Sequence, residues 1–171
     1  LLVPLLSNKF LKEQGQRNVA FILVFAILGI ELFDDLYRVF DIKGWHIGSD
    51  LPLHMCGFSV FATSWVLIKR NKLMFELCYF WGLGGALQAI LTPDATGLVD
   101  HFYVFSFMVS HGLIILNVLY LIFVCGMVLR EGALIRTIII TNILMVPIAL
   151  INYLIDANYF FLFRPPENTV S

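Results

Sequence analysis

Two apolar segments of the chain carry side chains that are able to do covalent chemistry. His54 and Cys56 lie in the first segment, and Ser110 and His111 lie in the second. An imidazole is costly inside a membrane helix, so an ionisable group there indicates a functional site. A thiol and an imidazole on different helices can form a nucleophile–base pair, because the histidine takes the thiol proton and leaves the reactive thiolate. The residue types therefore predict that Cys56 pairs with a histidine of another helix.

His54 is not the expected partner of Cys56. Residues two apart on a helix point about 200° away from each other, so these two do not share a face. His111 lies at comparable depth on a later helix and is the preferred partner. The alternatives stay open: Cys56 as a small buried hydrophobe, and His111 as a structural hydrogen-bonding group between helices. We expect Cys78 and Cys125 to be structural, since both lie away from the polar residues.

The composition identifies an integral membrane protein. The chain has 171 residues, of which 60% are hydrophobic and only 13% charged, whereas about a quarter of the residues in a soluble domain are charged. A net charge of -1 argues against nucleic acid as a partner. The three cysteines include no CxxC pair and the four histidines no HxxxH spacing, so we expect no disulfide framework, no metal and no cofactor.

Five apolar runs are each long enough to cross a bilayer, for which roughly 20 residues are needed. Lipid offers the backbone no hydrogen-bond partner, so every span must be helical. We predict an all-α polytopic bundle in a single membrane domain, residues 1–171. The first residues read like the end of a longer apolar element, and we expect a terminal span to be missing at one or both ends. The predicted spans are 19–40, 51–68, 73–91, 102–129 and 134–155.

Lysine and arginine set the predicted orientation. Eight of them fall on one side of the five spans, and basic loops remain in the cytoplasm. The N-terminal segment and the loops 69–72 and 130–136 are therefore predicted to be cytoplasmic. The eight residues are Lys9, Lys12, Arg17, Lys69, Arg70, Lys72, Arg130 and Arg136.

Strongly polar residues within the spans concentrate in the outer half of the bilayer. Scattered structural residues would not sort in this way, so we predict a polar pocket open to the outer side. Residues 31, 34, 35 and 38 follow the spacing of one helix face, with Asp34 and Arg38 able to pair. Asp35 and Arg38 could equally be interface charges. The small residues Gly82 and Ala86 predict close helix packing that turns Gln88 inward. The supporting residues of the predicted pocket are Glu31, Asp34, Asp35, Arg38, Gln88, Ser110 and Asn152.

Four sequence blocks together resemble one known family over essentially the whole chain. They are similar to the bacterial YwaF-like integral membrane proteins, which are grouped with the transmembrane-protein-164-type acyltransferases. The blocks are Asp50-Leu51-Pro52-Leu53-His54-Met55-Cys56, Phe80-Trp81-Gly82 with Gln88-Ala89 and Leu91-Thr92-Pro93-Asp94, Ser110-His111-Gly112, and Asn158-Tyr159 with Arg164-Pro165-Pro166-Glu167-Asn168.

The resemblance implies a lipid acyltransferase in a bacterial plasma membrane. It assigns the acyl-carrying cysteine to Cys56, the base to His111 and the histidine of the same segment to His54. Membrane phospholipids would be donor and acceptor. We expect His54 or Gln88 to stabilise the oxyanion, and Asp34 or Glu31 to orient a histidine as the third member of a triad does.

Two other functions fit the same residues. The acids and histidines could form the relay or binding site of a transporter or channel for protons, a metal ion or a small solute. The bundle could also be a non-catalytic lipid-binding subunit. A permeation path needs polar residues in both halves of the membrane, whereas the inner halves of these spans are mostly apolar. That difference favours a pocket open on one side.

Overall fold

The computed structural model describes residues 13–40, 44–92 and 101–165, and all regular structure within these ranges is helical. The predicted all-α fold is confirmed. The expectations placed on residues 1–12, 41–43, 93–100 and 166–171, including Lys9, Lys12 and the end of the last sequence block, lie outside the described residues. The helices are α1 (Glu13–Phe40), α2 (Met55–Lys69), α3 (Lys72–Leu91), α4 (His101–Phe123) and α5 (Ala133–Ile155), followed by a 3-10 turn, Tyr159–Phe161.

Three of the five helices, α3, α4 and α5, are long and apolar enough to cross a membrane. The helices are thus compatible with a multi-pass membrane protein. The predicted span 51–68 is wrong at its start, because residues 51–54 form a turn and α2 has only 15 residues. Helix α1 has 28 residues, but its C-terminal half carries three acids, Glu31, Asp34 and Asp35.

Helix α4 ends earlier than the predicted span 102–129. It stops at Phe123, and Gly126 adopts a φ of 66° just beyond. The amides of Cys125 and Met127 donate to the carbonyls of Tyr120 and Leu121 (3.1 and 2.9 Å), so these carbonyls at the helix end are satisfied without another turn. The chain therefore leaves the helix six residues before the predicted end.

Helices α1 to α4 form the core of the bundle. The larger apolar cluster includes Val66, Phe75, Val118 and Leu121, from α2, α3 and α4. Helices α3 and α4 approach closely at Gly82, as predicted: a Cβ there would lie 3.0 Å from Ile114 Cγ2. Helix α5 packs mainly on α3. Only 11% of its most apolar 18-residue stretch is buried, compared with 44% for that of α4.

An ion cluster that the sequence interpretation did not foresee lies at the end of the bundle opposite Cys56. Glu76 on α3 is 1% exposed, and its carboxylate accepts hydrogen bonds from Arg130 Nε (2.7 Å) and from Arg136 Nε and Nη2 (2.8 and 2.7 Å). A buried carboxylate is tolerated only when it is paired and hydrogen-bonded. The cluster thereby ties the α4–α5 connection and α5 to α3.

Replacement of Glu76 by glutamine should destabilise the protein. The change removes the negative charge that balances two guanidinium groups, and breaking such a pair costs roughly 2–4 kcal/mol when the arginines are partly solvated. Thermal unfolding in detergent, followed by helical circular dichroism, measures this loss. Glu131→Gln is the matched control, since this exposed side chain should change stability by less than about 0.5 kcal/mol. Equal stabilities for the two variants would contradict the proposed role of the ion cluster.

Candidate active site

Cys56 and His111 come together at one end of the bundle, between α2 and α4. The Cys56 Sγ atom lies 3.1 Å from His111 Nε2, and His111 Nδ1 lies 2.8 Å from the Phe107 carbonyl oxygen. A carbonyl only accepts hydrogen bonds, so Nδ1 must carry the ring proton and donate it. In the neutral ring the lone pair is then on Nε2, where the thiol donates to it. This is the arrangement that a base requires to take the thiol proton.

A tight turn places Cys56 in the first turn of α2. Residues 51–54 turn back on themselves, with the Leu53 amide donating to the Leu51 carbonyl (2.7 Å). Gly57 lies directly on this turn, because a Cβ there would be only 2.8 Å from the Pro52 oxygen. The glycine therefore allows the turn and the helix to meet. Cys56 is the second residue of α2, so it lies at the end of the helix where the macrodipole is positive.

Three polar residues of α1 contact three polar residues of α4, at positions about one helical turn apart. The first two contacts are hydrogen bonds between a carboxylate and a serine. The Ser110 hydroxyl, beside His111, donates to the Glu31 carboxylate. One turn away, Ser106 donates to Asp34 (2.5 Å). These two pairs fix α1 against α4, the helix that carries His111.

Arg38 completes this contact at the end of α1. Its Nε donates to Asp34 (2.8 Å) and its Nη1 to Asp50 (2.9 Å), and its guanidinium lies 5.1 Å from the centre of the Tyr103 ring. Asp50 also accepts from the His46 amide (2.7 Å). The spacing of Asp34 and Arg38 predicted their pairing; Asp50 connects them to the loop before Cys56.

Two aromatic rings lie against His54, which is two residues before Cys56 in the chain. Its ring centre lies 5.0 Å from that of Tyr159 and 5.2 Å from that of Phe161. Among the described residues, nothing forms a hydrogen bond with its ring nitrogens, although His54 is the residue that immediately precedes α2. The contacts of the imidazole are thus with aromatic rings. Both ring nitrogens are without a hydrogen-bond partner among the described residues.

Three of the predicted supporting residues, Gln88, Asp35 and Asn152, form no hydrogen bond with Cys56 or His111 in the described part of the chain. Gln88 was predicted to face the interior, and this is wrong: the side chain is exposed and donates to Thr92 Oγ1 (2.7 Å). A π-helical turn, Trp81–Ala86, precedes it and changes the face on which later residues lie, which a regular helical spacing does not anticipate. Asp35 is on the exposed side of α1.

Asn152 is buried, but both ends of its amide group are used within the protein. Its Nδ2 donates to the Tyr159 carbonyl and its Oδ1 accepts from the Tyr159 amide, both at 2.9 Å. The triad prediction for Glu31 or Asp34 is also wrong for His111, since Nδ1 donates to a backbone carbonyl instead.

The family model described as the TMEM164 family matches residues 1–171. The chain belongs to the TMEM164 family. An uncharacterized protein of Treponema pallidum (strain Nichols) is 29% identical over 111 residues, which is 65% of this chain and 44% of that relative. The chain thus matches less than half the length of that relative. No solved structure matches.

The TMEM164-family site depends on groups that residue type alone does not reveal. The Phe107 carbonyl determines the His111 tautomer, yet any residue four positions earlier would supply a carbonyl. Tyr159 was noted only within a sequence block, and its contact with His54 joins distant parts of the chain. In the described part of the chain, no group of three or more His, Cys, Asp or Glu side chains could hold a metal ion.

Replacement of Gly57 by alanine should destabilise this TMEM164-family protein by about 1–3 kcal/mol. The new methyl group would press on the Pro52 backbone, which cannot move aside without shifting the turn before Cys56. The same change at Gly29 of α1, where nothing lies within 4 Å, should be neutral or gain up to about 1 kcal/mol. Thermal unfolding of both variants in detergent provides the comparison, and a Gly57 variant as stable as the Gly29 variant would show that the contact is unimportant.

Proposed function

We propose that this TMEM164-family protein transfers acyl groups between membrane phospholipids through a thioester on Cys56. The observation that carries the proposal is the 3.1 Å contact between Sγ and His111 Nε2, with Nδ1 donating to the Phe107 carbonyl. Within the family, we assign the chain to the YwaF-like bacterial branch of the plasma membrane. The bacterial relative and the four sequence blocks support this assignment.

Acylation begins when His111 Nε2 takes the Cys56 proton. The thiolate attacks the ester carbonyl carbon of the donor lipid, and the tetrahedral intermediate then loses its C–O bond. His111 returns the proton to the departing oxygen, so a lysolipid alcohol leaves and the acyl group stays on sulfur. The acceptor hydroxyl reverses these steps: His111 takes its proton, the oxygen attacks the thioester, and the thiol is restored by protonation.

His54 is the side chain that we assign to the oxyanion. An imidazole N–H donates readily, and both His54 nitrogens lack a partner among the described residues. The free amides in the first turn of α2 are additional donors. Preorganised donors of this kind usually provide the largest single contribution in acyl transfer. Gln88, the other candidate for this role, is directed away from the site.

An apolar layer beneath the pair supports a pocket that is open on one side. Ile27, Val60 and Ile114 are at most 1% exposed and pack against each other next to Cys56. A polar path through the bundle would have to cross this layer. The layer therefore argues for chemistry on lipids and against the transport of protons or ions.

Replacement of Cys56 by serine should abolish the acyl-enzyme. Intact mass spectrometry after incubation with mixed phospholipids should detect a fatty-acyl increment on the wild-type protein that hydroxylamine removes, because hydroxylamine cleaves thioesters. Cys125→Ser should retain the increment, since that thiol lies towards the other end of the bundle. An increment that persists in the Cys56 variant would sink the proposal.

Replacement of His111 by glutamine should slow acylation about 10²–10⁴-fold, the usual contribution of a general base. The thiol itself remains, so a slow alkylation by a maleimide should still occur. The measurement is the rate of acyl-enzyme formation with a defined diacyl lipid. An unchanged rate would remove His111 from the mechanism.

We also propose that the Cys56 end faces the outside of the cell. Cysteines introduced one at a time at positions 69 and 47 test this orientation in a Cys56→Ser, Cys125→Ser background, in which the remaining Cys78 is buried. A membrane-impermeant maleimide should label Ile47→Cys in intact cells and Lys69→Cys only after lysis, because basic loops stay in the cytoplasm. The reverse pattern would invert the orientation.

A further inference from the structure

The segment 157–163 forms a strap between the end of α5 and the turn before α2. Its third residue, Tyr159, is fully buried and is held at its backbone by both ends of the Asn152 amide group. The Tyr159 hydroxyl donates to the Ile47 carbonyl (2.7 Å) and accepts from the Leu51 amide (3.1 Å). The strap is thus fastened both to α5 and to the loop that leads to Cys56.

The strap has an unusual backbone where it contacts His54. Phe160 and Phe161 have φ values of 59° and 51°, in the left-handed region that bulky residues avoid. Such conformations persist only where surrounding contacts enforce them, and they concentrate at functional sites. Asn158 contributes to this constraint, because its Oδ1 accepts from the amides of Phe163 and Arg164 (3.1 Å each).

This backbone places two aromatic rings of the strap against His54. The Tyr159 and Phe161 ring centres lie 5.0 and 5.2 Å from that of His54. The neighbouring Phe160 packs on Phe58 of α2 instead (6.0 Å). His54 has no hydrogen bond to the described residues that would orient it, so these rings determine where its nitrogens lie.

We propose that the strap is a positioning element that fixes the His54 imidazole for contact with the substrate acyl carbonyl. Phe161 and Asn152 are positioning residues: Phe161 acts by ring contact, and Asn152 acts by holding the backbone that presents it. The substrate part of this inference rests on the proposed function. The shielding of His54 by the strap is independent of the proposed function.

Carbethoxylation of His54 by diethyl pyrocarbonate, located by peptide mass spectrometry, tests the strap directly. Phe161→Ala should raise the rate of His54 modification several-fold, because the covering ring is lost. Phe163→Ala is the matched control: this phenylalanine belongs to the same strap, is 52% exposed against 48% for Phe161, and has no ring contact with His54 among the described residues. Equal rates in the two variants would overturn the proposal.

The rate of acyl-enzyme formation tests the substrate part. Phe161→Ala should slow acylation about 10-fold or more, since a small displacement of a catalytic group is costly. Maleimide alkylation of Cys56 should stay within about two-fold of wild type, since the His111 pair is intact. Phe161→Tyr keeps the ring and should show the wild-type rates of acyl-enzyme formation and of His54 carbethoxylation.

The possible outcomes separate the two proposals. Faster carbethoxylation of His54 with an unchanged acylation rate would overturn the positioning role. Absence of any acyl-enzyme in the wild type would instead overturn the proposed function, while the contrast between Phe161→Ala and Phe163→Ala would still support shielding of His54 by the strap. If Asn152→Leu folds, it should reproduce the effects of Phe161→Ala, and wild-type behaviour in that variant would exclude Asn152 as the anchor.

Discussion

Every polar side chain that a membrane bundle buries must find its partner inside the bundle, because lipid provides neither donors nor acceptors. This constraint explains several of the long-range polar contacts of the structure. The Glu76 carboxylate is neutralised by two arginines, and Glu31 and Asp34 are bonded to serines of α4. The described part of the chain leaves few buried side-chain atoms without a partner; these belong to Arg70, Asn117 and Thr137.

The two ends of the bundle meet this constraint in different ways. At the Glu76 end, both carboxylate oxygens accept from guanidinium groups, so the buried negative charge is compensated and the cluster is structural. At the other end, His111 uses Nδ1 for the Phe107 carbonyl and directs its second nitrogen at a thiol. A neutral thiol and a neutral imidazole thus share one hydrogen bond at this end. A packed apolar layer around Ile27 and Ile114 lies beneath this second site.

The environment of Cys56 is built from parts of the chain that are far apart in sequence. The turn at 51–54 immediately precedes α2, in whose first turn Cys56 lies. Gly57 allows that turn to pack directly on the helix. Asp50 connects the same loop to Arg38 on α1. Tyr159 connects it to the end of α5. Three separate elements thus hold one short loop, which is how a site near the end of a short helix can be rigid.

The sequence by itself predicted the helical class, the family and the contact between Cys56 and His111. Long apolar runs must be helical in lipid, and the depth of Cys56 and His111 follows from counting residues along each helix. The local pairing of Asp34 and Arg38 also followed from helical spacing. These properties depend on residue type and on separations of a few positions, both of which can be read from the chain.

Only the tertiary structure decided how the pair is oriented and what surrounds it. The His111 tautomer depends on a backbone carbonyl, which every residue type supplies equally. Gln88 lies outside because a π turn alters the helical register, and Asn152 binds the Tyr159 backbone because the chain reverses between them. The Glu76 cluster joins residues of α3, α5 and the preceding connection. Such contacts depend on helix rotation and on distant parts of the chain, and no local pattern encodes either of them.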